Sequence, residues 1–184
     1  GSVPEVETLE GLLFPSTYYL VSDDGAQELI ETQLRTFQAK TADLDWDKAE
    51  ELGVTPYEIV IIASLIEKEA SIDDERAKVA AVIYNRLEEG MTLGIDATVR
   101  YAVGKWTGDL TTKDLQVDSP YNTRVNEGLP PGPISSPGLA ALEAALEPED
   151  VDYLYYVLSD TDGNHFFTSS YEEFLEAKER QPGQ

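Results

Sequence analysis

Thr55-Pro56-Tyr57-Glu58-Ile59-Val60-Ile61-Ile62-Ala63-Ser64-Leu65-Ile66-Glu67-Lys68-Glu69-Ala70 is the stretch whose reading decides the fold. Thr55 can cap a helix, Pro56 suits its first position, and Glu58 closes a capping box three residues on. From Ile59 to Ile66 the helix is apolar on most of its circumference, which predicts a buried core helix and not a surface one. The run is far shorter than the ~20 residues that cross a bilayer. Three charges, Glu67-Lys68-Glu69, end it abruptly.

Around this helix the pattern is mixed. Ala26 to Lys40 predicts an amphipathic helix with Leu29, Ile30, Leu34 and Phe37 on one face. A short acidic helix is expected over Leu44 to Leu52, stopping at Gly53. A second core helix is expected from Asp73 to Glu89, with the stripe Val79, Val82, Ile83 and Leu87 and a stop at Gly90. Asp96 to Gly104 predicts a short helix, and Pro137 to Leu146 another. Leu12 to Val21 reads as a strand or extended segment interrupted by Pro15. Tyr153 to Leu158 and His165 to Thr168 read as strands joined by a turn over Ser159 to Asn164. Ser170 with Glu173 caps a last helix. Runs of helices with a few strands predict an α+β fold: a helical lobe around the core helix plus a small antiparallel hairpin.

The 184 residues carry 36 acidic and 13 basic side chains, a formal net charge of -23. That charge repels a nucleic-acid backbone and an anionic membrane surface, so nucleic-acid binding is set aside. Acidity names no substrate; solubility is its simplest meaning. There is no cysteine, hence no disulfide, thiolate nucleophile or Cys-based metal site. His165 is the single histidine, too few for a two-His metal site, and no GxSxG elbow accompanies it. No metal and no cofactor is expected. Gly1-Ser2 reads as an expression scar, with residues 3–184 the domain proper.

Glu69 follows Ile62, Leu65 and Ile66 at helical spacing and so ends their apolar face. Desolvation there would raise its pKa, as a glycosidase-type general acid requires. Glu67 follows Val60, Ala63 and Ser64, a smaller and more polar surface. On local grounds alone the plainer reading is that the helix surfaces here with both carboxylates solvated, because Glu is rarely buried. Val117 to Pro137 reads as a long ordered loop, rich in Pro, Gly, Asn and Ser. In it Tyr121 and Asn122 suit sugar contacts, a ring to stack and an amide to donate and accept. A rigid structural loop with Asn122 capping a turn accounts for the same residues equally well. Asp96 is most simply the N-cap of the helix after it. His165, beside Phe166 and Phe167, is of a kind more often packed than catalytic.

Taken in order, the segments resemble the YceG-like, MltG-type endolytic murein transglycosylase family. The matching stretches begin with Leu9-Glu10-Gly11-Leu12-Leu13-Phe14-Pro15-Ser16-Thr17-Tyr18 and Ala63 to Ala70. They continue through Val79 to Leu87, whose Tyr84-Asn85-Arg86-Leu87 end is the marked part, Gly90-Met91-Thr92-Leu93, and Asp96-Ala97-Thr98-Val99. Then come Ser119-Pro120-Tyr121-Asn122-Thr123, Gly128 to Ile134, Ser136-Pro137-Gly138, Tyr153 to Val157, and Gly163-Asn164-His165-Phe166-Phe167.

The resemblance implies an enzyme at the outer face of the cytoplasmic membrane, anchored by an N-terminal helix outside this sequence. It would cleave nascent peptidoglycan between N-acetylmuramic acid and N-acetylglucosamine without water, leaving a 1,6-anhydro end. One carboxyl serves twice there, so the paired carboxylates of ordinary glycosidases are not needed. Glu69 is the expected catalytic residue. Glu67, Asp96, Tyr121, Asn122, Thr123, Pro130 and His165 are the expected substrate-binding set. The expected groove is lined by Tyr121, Asn122 and the loop 128–138, with Glu69 at its floor and His165 facing it. Peptidoglycan strands are the implied partner, and cell-wall synthases (penicillin-binding proteins) further candidates. Two rival readings remain. One is a muramidase-type hydrolase with Asp96 as second carboxylate; the other is a non-catalytic glycan-binding or synthase-scaffold module.

Overall fold

A computed structural model describes residues 8–20, 25–159 and 162–180. The organising element is α3 (Pro56–Glu69). The Thr55 hydroxyl accepts from the Glu58 N–H, and the Glu58 carboxylate accepts from the Thr55 N–H, so the predicted capping box is formed. Every residue from Ile59 to Ile66 is buried. A helix surrounded on all sides needs neighbours on all sides, and the rest of the chain supplies them.

α4 (Arg76–Glu88) brings Val79, Ala80 and Ile83 against it. α7 (Leu139–Leu146) packs along it most extensively, and its Ala141, Ala144 and Ala145 let the two backbones approach closely. Leu12 of the N-terminal segment closes one side. Gly11 permits this approach: it has φ +81°, and a Cβ there would lie 2.5 Å from Pro133 Cγ and 2.9 Å from Val60 Cγ1.

The loop between residues 117 and 138 closes the other side. It runs alongside α3 in the same direction, from Gly128–Pro131 near the first turn to Gly138 near the last. Ser64, fully buried in mid-helix, is the stitch between them. Its hydroxyl accepts from the Ile134 N–H (3.1 Å), while the Ser135 hydroxyl donates to the Ser64 carbonyl (3.0 Å). The loop is pinned at its start by Asn122, whose amide donates to the Leu115 and Val117 carbonyls and accepts from the Arg124 N–H.

Among the described residues the other elements are α1 (Ala26–Lys40), α2 (Lys48–Glu51), α5 (Asp96–Val103), α6 (Thr112–Leu115), α8 (Tyr171–Glu179), a single 3₁₀ turn (Asp73–Glu75), and one antiparallel hairpin. The hairpin pairs β1 (Tyr155–Leu158) with β2 (His165–Thr168), Tyr156 opposite Phe167 and Leu158 opposite His165. The α+β expectation holds: a helical lobe and one small hairpin. The Tyr84-Asn85-Arg86 run ties the hairpin to that lobe. Tyr84 donates to the Ala145 carbonyl, Asn85 to those of Val151 and Tyr153, and Arg86 to those of Leu154 and Leu93.

Of the strand and extended readings of the segment from Leu12, the strand is not formed: the chain makes a turn and then runs without regular structure, Pro15 lacking a donor. Val21, the end of that segment, lies outside the described residues. Three details differ from expectation. The acidic helix over 44–52 shrinks to Lys48–Glu51, the residues before it forming turns. The helix predicted from Asp73 starts as the 3₁₀ turn. α6, which was not anticipated, is carried by a capping box between Thr111 and Asp114. Of the expected turn over Ser159 to Asn164, Asp160 and Thr161 lie outside the described residues.

Two substitutions test this packing. Leu142→Ala, at a fully buried position of α7, should cost about 2–5 kcal/mol in urea unfolding. Asn122→Ala should cost about 1–3 kcal/mol by stranding the loop carbonyls.

Candidate active site

α3 delivers Glu69 to the one place where this buried helix ends. The chain leaves helical conformation at Ala70. Glu69 therefore combines an apolar helix behind it with a half-buried carboxyl in front. Its pKa is raised above the usual carboxylate range, first because burial penalises the anion. The nearby charge of Asp96 raises it further, whereas the Tyr156 hydrogen bond and His165 act in the opposite direction. Ionisation at a helix C-terminus also runs against the macrodipole. The arrangement suits a carboxyl that remains protonated to higher pH than a solvated one.

The Tyr156 hydroxyl donates to Glu69 Oε2 at 2.8 Å. Tyr156 is presented by β1, and its neighbours on the same hairpin face are His165 and Phe167, with ring centroids at 5.5 and 5.9 Å. Along β2 the sides alternate: Phe167 packs against the core and Phe166 is exposed. His165 does not open onto a free cleft. Its Nδ1 lies 2.7 Å from Glu75 Oε2, its backbone N–H donates to Glu75 Oε1 at 2.8 Å, and both side chains are 10% exposed. His165 thus finds its hydrogen bond within the protein and reaches Glu69 through the Tyr156 ring.

The other expected site residues are dispersed. Glu67 is half-buried and accepts from the Gly138 N–H at the start of α7 (3.1 Å). Asp96 is not the N-cap of α5, a position held by Ile95; it occupies the first helical position, exposed, and pairs with Arg124 at 2.7 Å. Asn122 and Thr123 are corrections to the expected sugar-binding set. Asn122 is fully buried with its amide taken up by backbone. Thr123, equally buried, bonds the Thr98 hydroxyl and the Ile95 N–H, fixing the start of α5.

Tyr121 lies in an aromatic cluster with Tyr101 and Trp106. The Tyr121 ring packs on Tyr101 (4.7 Å), and its hydroxyl approaches Gly132 beside the Tyr57 hydroxyl, at the first turn of α3. At about 1.5 Å rise per residue the backbone of that turn lies about 18 Å along the helix from that of Glu69. Pro130 belongs to the same far end, lining a cavity of about 630 Å³ with Val54, Tyr57, Ile61, Leu87 and Leu129.

Sequence reasoning missed Tyr156 and Glu75. Strand alternation gives a signal for the first: once His165 and Phe167 share a face, the paired register puts Tyr156 there too. Glu75 has no such signal, since its role depends on where the hairpin docks. Trp106 was also passed over; it is exposed, with the Lys68 ammonium 5.7 Å from its ring centre.

Comparison with known proteins places these residues in a family. The model of the YceG-like family matches residues 2–180. An endolytic murein transglycosylase of Bacillus subtilis (strain 168) is 40% identical over 173 residues, covering 94% of this chain and 48% of that protein. One of Streptococcus pneumoniae (strain ATCC BAA-255 / R6) is 35% identical over 170 residues, covering 90% of this chain and 31% of that protein. The crystal structure of a yceG-like protein from Listeria monocytogenes has a TM-score of 0.84 at 40% identity, covering 91% of this chain and 55% of the other. The chain thus spans half or less of the length of the curated relatives it matches. With a family match across nearly its whole length, an end-of-helix Glu69 and the docked hairpin, this chain belongs to the YceG-like family.

Proposed function

We propose that this chain is the catalytic domain of an endolytic lytic transglycosylase that cleaves the MurNAc–GlcNAc bond of nascent peptidoglycan strands. The observation that carries the proposal is Glu69 itself: a carboxyl at the exit of a buried helix, biased towards its neutral form, with Tyr156 as a polar partner. The names of the relatives at 40% and 35% identity support the reaction class.

In the first step Glu69 gives its proton to the glycosidic oxygen as the C1–O bond breaks, and the bond's electron pair leaves with that oxygen. The muramyl C6 hydroxyl oxygen then bonds to C1, and its proton goes to the Glu69 carboxylate. Atoms and charge balance without water, and intramolecular attack supplies a large effective molarity. Asp96 is engaged by Arg124 and exposed, which favours this single-carboxylate route over a hydrolase using Asp96 as its second carboxylate.

Among the remaining residues, Glu67 holds the start of α7 next to the site. His165 supports the hairpin that faces Glu69. Tyr121 and Pro130 serve other parts of an extended strand. Because murein lies outside the cytoplasmic membrane, action is extracytoplasmic. Among the described residues no helix is long and apolar enough to cross a membrane, so anchoring through a preceding N-terminal helix is part of the proposal. The penicillin-binding proteins that make nascent strands are the partners it implies.

Glu69→Gln should fold normally and lower formation of anhydro-ended fragments by ~10²–10⁴, read by mass spectrometry of digested glycan strands. Full activity in Glu69→Gln with an inactive Glu67→Gln would move the role to Glu67. The same variant carries a stability prediction. A carboxyl whose folded pKa lies above its unfolded value binds more protons in the folded state between the two, so its contribution to stability falls as pH rises through that interval. The interval opens near the ordinary value of 4.5 and extends upward to the raised one. Glu69→Gln should therefore gain stability relative to the parent at neutral pH and lose that gain at about pH 4, as measured by thermal melting at the two pH values.

A further inference from the structure

The carboxyl of Glu69 has two oxygens, and the structure treats them differently. We infer that Tyr156 is a positioning residue that decides which of them works: its hydroxyl occupies Oε2, so Oε1 is the atom that delivers the proton to the glycosidic oxygen and takes it back from the C6 hydroxyl. This inference rests on the transglycosylase reading of the same site.

The hydrogen bond has a direction. Besides Glu69, the charges that bear on Tyr156 are Arg86, whose guanidinium only donates, and Asp96, which is paired with Arg124. The phenolic proton accordingly has Glu69 Oε2 as its acceptor, at 2.8 Å. An oxygen that accepts this proton is poorly placed to carry one of its own, so the acid's proton sits on Oε1. Tyr156 itself keeps its proton throughout, because burial and the neighbouring carboxyl push its ionisation well above the ordinary phenol range. Its hydrogen bond therefore persists in both states of Glu69 and strengthens when the carboxylate forms.

The Tyr156 side chain is held from two directions. The His165 ring meets the Tyr156 ring edge-on, at 88°. His165 is in turn fixed by two hydrogen bonds to Glu75. The backbone leading into β1 is tied to α4 through Asn85 and Arg86. These tethers end on the two segments that follow α3 in sequence, so the hydroxyl is referenced to the helix that carries Glu69. The other charges bearing on Glu69 are Asp96 at the start of α5, paired with Arg124, and His165 on β2, paired with Glu75. Glu67 and Lys68 adjoin it on α3 itself. None of these makes a hydrogen bond to Glu69 that could substitute for the Tyr156 hydroxyl.

The test is Tyr156→Phe, which deletes the hydroxyl and keeps the ring. With folding checked by circular dichroism, turnover should fall roughly 10- to 100-fold with KM little changed, the loss expected for one hydrogen bond to a charged group. Losing a donor that favours the carboxylate should also raise the Glu69 pKa. The basic limb of the rate profile should then move to higher pH, and so should the Glu69 carboxyl resonance followed by carbon-13 NMR. A merely structural role for Tyr156 would lower the melting temperature and leave both titrations in place.

A folded Tyr156→Phe protein with unchanged turnover, or with an unmoved Glu69 titration, overturns the inference. Should that variant not fold, 3-fluorotyrosine at position 156, a stronger donor of nearly the same shape, must move the Glu69 titration to lower pH; no movement is equally fatal. Activity surviving in Glu69→Gln would defeat the underlying reading instead. The NMR titration needs no turnover and decides the hydrogen-bond assignment in either case.

Discussion

Complete burial of α3 is the constraint on which the rest of the molecule depends. A helix that is apolar all round cannot be left half-covered, so the chain must wrap it with α4, α7, the N-terminal segment and the loop 128–138. The loop from residue 117 to 138 has no strand or helix of its own to satisfy its backbone, and side chains do so in part: Ser64, Thr98, Asn122 and Glu67 each take up one of its backbone groups. Residues that resemble a sugar-binding cluster in sequence are therefore partly the means by which an irregular segment can be packed against an apolar helix.

The same constraint shapes the carboxyl proposed to react. Where the wrapping stops, the last residue of α3 is a carboxyl facing an environment built to cover Ile and Leu. The hairpin then supplies what that carboxyl lacks, a single hydrogen-bond donor, without supplying enough polarity to make ionisation easy. Burial dominates, and the Tyr156 hydroxyl and His165 moderate it. A carboxyl poised in this way can act as acid and then as base, which is the property a one-carboxylate mechanism demands.

How far the sequence could be read follows from the range of the interactions involved. The capping box at Thr55 and Glu58, the bounds of α1 and the two strands of the hairpin are local matters of pattern and turn chemistry, and each was legible. So was the placement of Glu69 on the Ile62/Leu65/Ile66 face. The pairing of Glu75 with His165 spans 90 residues, and that of Tyr156 with Glu69 spans 87; no periodicity encodes such distances. Asn122 shows the opposite failure. Its chemistry fits a glycan contact and a loop pin equally, and only its burial decides for the pin. Tyr121 was legible as an aromatic ring in a rigid loop, but its packing on Tyr101 was not.

The central claim is that one carboxyl, Glu69, moves the proton both ways and water takes no part in the bond change. The most direct measurement is strand cleavage in water enriched in oxygen-18, with the new fragment ends analysed by mass spectrometry. The account predicts 1,6-anhydro muramyl ends that carry no oxygen-18. Reducing ends labelled with oxygen-18 would contradict it and make the chain a hydrolase.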